Sequence, residues 1–425
     1  MTATADFRKS IVQFLCTDQL GFLDATEAEW TRNLRWLDRS GLALPLAARF
    51  EALRPRAQVP CAVRTALRSR LSDNQKRMVR MLEFFQEAVR ALDRAQVRYC
   101  CVKGFSLIPD CFNSIRERHQ IDLDLLIAPR DLKQAQNAFE EIGYCMQRAD
   151  NSGEVRLIRP WKKHLGVHAY LYQMPQPPPI ELHTEVWEGD DDEIQFPSLR
   201  GFPEAAETHE VCAVEFTRLR PAYHFVYLLL HIFRHLMGSW TRLLSVYEVA
   251  TFIRTRRGED DVWAEAGQIM GQDKVLASAC ALVLGLLDYT FPTDMPAPLR
   301  NLRSRNLSAE SALWLERHAT AWLFSDPPGS KLSLLALKQF WPDDGLWRHY
   351  LTRRLLPIRK PHSLSDEAVK SAKCGLAYRV EEAWYKATRA WFHVESDFEY
   401  LSAWLRWTQR EQTRAQARQR LADEV

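Results

Sequence analysis

The sequence has no C-x-x-C pair. Its nine cysteines are scattered, and only Cys100 and Cys101 are adjacent, inside an apolar run. Such spacing points to neither a zinc site nor a disulfide framework, and a reducing cytoplasm is the expected setting. There is no excess of one charge either: 57 basic and 54 acidic residues leave a net +3. That weighs against a protein that coats long nucleic acid, which needs a concentrated basic stripe. Long apolar runs are also missing. "FVYLLLHIF" (225–233) and "LASACALVLGLL" (276–287) fall short of the ~20 residues that cross a bilayer. The opening "MTATADFRKSIVQFL" lacks a basic start followed by an apolar core. No partnership with a membrane is expected. Internal repeats are absent, and the only low-complexity stretch is the proline turn "MPQPPPI" (174–180).

What is present is 46% hydrophobic residues over 425 positions, ample for two or three domains with real cores. Residues 1–95 read as helical. Trp30, Leu34 and Leu37 fall at helical spacing, as do Met78, Met81, Leu82, Phe85, Val89 and Leu92. From about 96 to 215 the pattern becomes strand, helix, strand, helix and then several strands, which describes an α+β core. "VRYCCVKG" is extended and ends at Gly104, "IDLDLLI" is a second strand, and "PRDLKQAQNAFEEIGY" a helix stopped by Gly143. "EVRLIRP", "GVHAYLYQM" and "PIELHTEVW" read as further strands. Residues 216–425 return to helices. The acidic run "EGDDDEI" (188–194) reads as a solvated loop.

The chemistry concentrates in "HQIDLDLLIAP". Asp122 and Asp124 sit among Ile121, Leu123, Leu125, Leu126 and Ile127, where an uncompensated carboxylate is costly to bury. An Arg or Lys, water at a sheet edge, or a metal ion would each answer that charge. Strand alternation puts the two acids on one face, ~6.6 Å apart along the chain, close enough for their heads to converge on a divalent ion. Magnesium is commonly held by one or two carboxylates together with substrate phosphates. Glu181 in "PIELHTEVW" has the same setting and is the candidate third acid of a two-metal site. Gly104 allows a close phosphate approach, and Lys103 offers it a point charge.

In that order, "CVKGFSLIP…RERHQIDLDLLIAPRDLKQAQNAFEEIGY…HAYLYQ…PIELHTEVW" resembles the uncharacterised nucleotidyltransferase family of the polymerase-β-like superfamily. The likeness is good over 97–187 and looser in the helical flanks, where Asn74 fits the pattern. It implies a mixed sheet backed by helices, with nucleotidyl transfer by two divalent metals (Mg2+ or Mn2+) and a nucleoside triphosphate (ATP or another) as co-substrate. Position by position it implies Asp122, Asp124 and Glu181 as catalytic metal ligands, and Lys103, Gly104 and Arg118 as phosphate contacts, with Arg116 contesting the last place. His183 and His168 match the family's histidines. The acceptor, a small molecule, peptide or protein, is not specified. Two positions depart from the pattern: Phe105 follows Gly104 where the superfamily has Ser or Gly, leaving Ser106 as the nearest hydroxyl, and Thr184 replaces a Trp. The Phe105 departure favours an alternative in which a degenerate member serves as a binding or scaffolding subunit of a biosynthetic or toxin–antitoxin-like complex.

Other residues invite weaker readings. His231 and His235 lie four apart on a helix but lack the Glu of a hydrolytic zinc motif, and packing near the cleft is expected of them. Arg242 and Glu248 on the following helix are candidates to face the site. Trp161, with Lys162 and Lys163, is a candidate base-stacking residue.

Overall fold

A computed structural model describes residues 3–17, 25–53, 59–149, 155–160, 172–173, 176–187, 194–199, 205–326, 328–341, 343–356 and 376–423. Four helices come first: α1 (Ala3–Thr17), α2 (Glu27–Ser40), α3 (Ala43–Leu53) and the 34-residue α4 (Cys61–Arg94). Thr26 and Glu29 close a capping box at the start of α2, and Gly41 ends it in the left-handed region at φ 81°, the conformation glycine accepts most readily.

Among the described residues there follow β1 (Tyr99–Cys101), β2 (Leu123–Ile127), α5 (Leu132–Glu141), β3 (Cys145–Ala149), β4 (Val155–Ile158), β5 (Ile180–His183), β6 (Ala206–Val211) and β7 (Val214–Leu219). The strands form one mixed sheet in the order β3-β4-β5-β2-β1-β7-β6. The α+β class and mixed sheet expected from sequence are therefore found. The β6–β7 hairpin lies beyond the strands expected above. Its outer strand, "AETHEV", alternates exposed and half-buried polar residues, so it carries no apolar stripe to read.

Helices then run to the end of the described chain: α6 (Pro221–Met237), α7 (Leu243–Thr255), α8 (Asp260–Gly271), α9 (Lys274–Thr290), α10 (Ala297–Asn306), α11 (Ala309–Phe324), α12 (Leu334–Leu337), α13 (Asp344–Leu355) and α14 (Leu376–Asp423). None of the described helices is long and apolar enough to cross a membrane.

Both faces of the sheet are covered, which is why β2 is buried at every position. Phe85 of α4 lies 5.0 Å from both Phe105 and Phe216. On the C-terminal side, Phe225 of α6 packs on Phe252 and, edge-on, on Trp263. A buried ion network ties the turn after β1 to this layer. Asp110 accepts from Arg218 at 2.8 Å and from Arg256 at 2.9 Å, and Arg218 also donates to the Ser106 carbonyl.

Asn74 holds the approach to β2 in place. It is fully buried, and its amide donates to the carbonyls of Arg116 and Arg118, both at 2.9 Å. Asn74→Ala orphans both carbonyls, and unsatisfied buried acceptors cost ~1–3 kcal/mol each. The expected result is a loss of about 2 kcal/mol in urea unfolding. An unchanged midpoint would show that the segment does not depend on this residue.

Candidate active site

The register of the sheet assembles the acids. β2 and β5 are parallel neighbours with Asp124 opposite Glu181 and Leu126 opposite His183, so Asp124, Glu181 and His183 share one face. Their ligand atoms all lie within 4.8 Å of one another, the group of that kind among the described residues. Asp122 stands one residue before the first residue of β2 and outside that tight group. Asp124 is thus common to two pairings, along the chain with Asp122, whose carboxyl feels its charge, and across the sheet with Glu181.

Asp124 is almost fully buried, and the Lys103 ammonium lies 2.7 Å from its Oδ1. His183 Nε2 lies 3.4 Å from the same oxygen. Burial pushes the Asp124 carboxyl up, but Lys103 and His183 outweigh it and hold the group well below the usual carboxylate range. Burial, then the charge of Asp124, pushes Asp122 the other way. Burial would lower the Lys103 ammonium, yet Asp124 foremost, with Tyr227, Asp122 and Glu181, raises it well above its ordinary value. Glu181 has its own cation, Arg156 of β4, at 3.2 Å. Arg156 is opposite Glu181 in the antiparallel register, a relation no local pattern reveals.

Lys103 and Gly104 form the turn after β1. Gly104 has φ +68°, and a Cβ there would stand 2.2 Å from the Gln120 side chain. Gln120 in turn donates to the Asp122 carbonyl at 2.8 Å. Gly104→Ala therefore combines a left-handed backbone, costing ~1–2 kcal/mol, with displacement of the side chain that holds Asp122. A drop of about 2 kcal/mol in thermal or urea stability is expected. A variant as stable as the parent would sink this account of the turn.

Ser106 is fully buried, and its hydroxyl donates to the Lys103 carbonyl at 3.2 Å and meets His224 Nε2 at 3.3 Å. Its place is inside the turn. Burial, then Arg218, lowers the His224 imidazole to about 3, so it stays neutral. Arg118 donates through Nε to Glu248 of α7 at 2.8 Å, both side chains being largely buried. Its charge is felt at Asp122 from that braced position. Arg116 pairs instead with Glu51, at a half-exposed site. Arg242 is half-buried at the start of α7, where its charge acts on His235. His168, Trp161, Lys162 and Lys163 lie outside the described residues, as does the acidic run up to 193.

Beside the acids lies a small, open cleft. Its lining includes Lys103, His183, Glu185, Tyr227, His231 and Arg234. His231 faces this cleft as expected, its ring 4.2 Å from that of His235. Burial, and then Lys103, lowers both imidazoles far below their ordinary value. Arg234 was not among the residues anticipated from sequence, since one Arg on an apolar helix carries no local signature.

The model of a family described as uncharacterised nucleotidyltransferase matches residues 26–286. No curated protein and no solved structure matches the chain.

Proposed function

Because the chain belongs to the uncharacterised nucleotidyltransferase family, we propose that it transfers a nucleoside monophosphate group from a nucleoside triphosphate to an acceptor hydroxyl or phosphate. The acceptor oxygen forms the new bond to the α-phosphorus, the bond to the bridging oxygen breaks, and pyrophosphate leaves. The observation that carries this reading is the convergence of Asp124, Glu181 and His183 beside a cleft that Lys103 and Arg234 help to line.

The residues fit a divalent cation. Two side-chain cations already sit against the two cross-strand acids, Lys103 on Asp124 and Arg156 on Glu181, so the site calls for positive charge. Asp122, Asp124 and Glu181 would hold it. Mg2+ or Mn2+ bound there would neutralise the triphosphate and polarise the phosphoryl group under attack.

The protein's own part is positioning. His183 fixes the rotamer of Asp124. Lys103 and Arg234, both in the cleft lining, would meet phosphate oxygens. Arg118, braced by Glu248, steadies the field around Asp122. Glu181 either holds a second cation or accepts the proton lost by the acceptor.

The test is a screen of the four α-labelled triphosphates with Mg2+ or Mn2+ against a metabolite pool and a lysate, with Asp124→Asn as the blank. Label appearing on an acceptor with the parent and not with the blank supports the reading. Label transferred equally by both overturns it.

A second reading has its own support. Fully buried Phe105 follows Gly104, and the Ser106 hydroxyl faces inward, so the turn offers no hydroxyl to a terminal phosphate. A non-catalytic binding subunit fits that feature. Calorimetry with a non-hydrolysable triphosphate separates the two, since metal-linked binding belongs to the transferase reading alone.

A further inference from the structure

The last helix lies beyond the family match and has two distinct faces. One docks on the body. Ser396, Tyr400 and Ala403 are buried there; Ser396 Oγ accepts from the Lys331 amide at 2.6 Å, and Asp397 pairs with Lys331 Nζ at 2.6 Å. The other face is apolar and open. Trp384, Trp391, Phe398 and Leu405 recur every seven residues, and Phe398 is 75% exposed. Val380, Ala387, Val394 and Leu401 recur at the same interval between them, all exposed. The steps alternate four and three along the helix.

That alternation averages 3.5 residues per turn, the period at which one helix keeps a continuous seam against another. A helix needing only its own domain would turn its apolar stripe inward, but here the inward face is a different one. The described positions among 383–391 are exposed all round, and a lone helical stretch of that kind gains little stability in water without a packing partner.

We propose that this face is a self-association seam, occupied by the same helix of a second copy of the chain. Area and charge support that occupant. Three aromatics (Trp384, Trp391 and Phe398), at roughly 150–250 Å² each and about two-thirds or more exposed, leave on the order of 400 Å² uncovered. With the aliphatic positions the stripe approaches the ~800 Å² per partner of a standard interface, beyond what isolated surface apolars explain.

The flanks carry no Lys or Arg. On one side they are Glu381, Thr388, Glu395 and Ser402; on the other, Ala383, Ala390, Asp397 and Trp404. In a parallel pair the flanking contacts match Ala383 with Thr388, Ala390 with Glu395 and Asp397 with Ser402, so no like charges meet. An anionic membrane, which attracts basic flanks, suits this pattern less well. A two-fold seam of this kind is self-complementary and closes on itself.

The experiment is sedimentation velocity and light scattering on the full chain. The expected mass is twice that of one chain. Trp391→Glu combined with Phe398→Glu should halve it, whereas Leu346→Glu, at an exposed leucine elsewhere, should not change it. Both substituted positions are open to solvent, and circular dichroism verifies that the variants fold. Ala387→Cys gives an independent readout: under mild oxidation it should link two chains through position 387, identified by peptide mass. Three outcomes overturn the proposal: a parent chain that stays monomeric at micromolar concentration, a dimer indifferent to the double substitution, or a monomer that sediments with phosphatidylcholine vesicles.

Discussion

Asp124→Asn is expected to reduce nucleotidyl transfer by at least ~10³-fold, about 4 kcal/mol of barrier at 1.36 kcal/mol per tenfold. Three observations set that magnitude. Asp124 stands in register with Glu181. Two partners hold its Oδ1, Lys103 at 2.7 Å and His183 at 3.4 Å. Of the two aspartates, it is the one whose carboxyl is held ionised, while Asp122 is pushed toward protonation. Asparagine keeps the shape and removes the charge. Stability should change much less, because Lys103 still has Asp122 and Glu181 nearby. The measurement is initial-rate release of pyrophosphate, alongside thermal unfolding. Transfer within tenfold of the parent would remove Asp124 from the mechanism. A collapse of the fold would show that its main role is structural.

The second large effect concerns Lys103. In the metal-free protein, Lys103→Met leaves Asp124 buried among Asp122 and Glu181 without its ammonium. Breaking a buried pair from one side typically costs ~3–5 kcal/mol, and a loss of that size is expected in urea unfolding without divalent cations. Millimolar Mg2+ or Mn2+ should return most of it, because a cation bound by the acids supplies the missing charge. Metal should stabilise the parent less, since there it must displace Lys103 first. Binding to the folded state alone raises stability with metal concentration by linkage, so the comparison needs no turnover and no acceptor. Equal losses with and without metal would mean that these acids hold no cation, and the transferase reading would fall with them.

The sites differ in how far they were legible in the chain. Asp122 and Asp124 stand out because charge inside an apolar strand violates a local rule, and such violations gather where function is. Gly104 is readable for a similar reason: it closes an extended run, and the structure puts it at φ +68°. The service that Asn74 performs was not readable, since its bonds span 42 and 44 residues to two carbonyls. Nor was the Arg118–Glu248 pair, whose members are 130 residues apart. The β6–β7 hairpin escaped notice because its outer strand buries almost nothing.

Local composition and periodicity by themselves determined the succession of helical, mixed and helical regions, the absence of a membrane-length apolar helix, and the acids that needed an explanation. Those properties follow from neighbours within a few residues, where the spacing of apolar side chains settles the element. Tertiary structure alone decided which charges meet. Parallel pairing set Asp124 against Glu181 and brought His183 alongside, the turn folded Lys103 back onto Asp124, and antiparallel pairing supplied Arg156. The physical reason is that electrostatic energy depends on separation in space and on shielding from water, and strand register fixes both without leaving a trace in the local sequence.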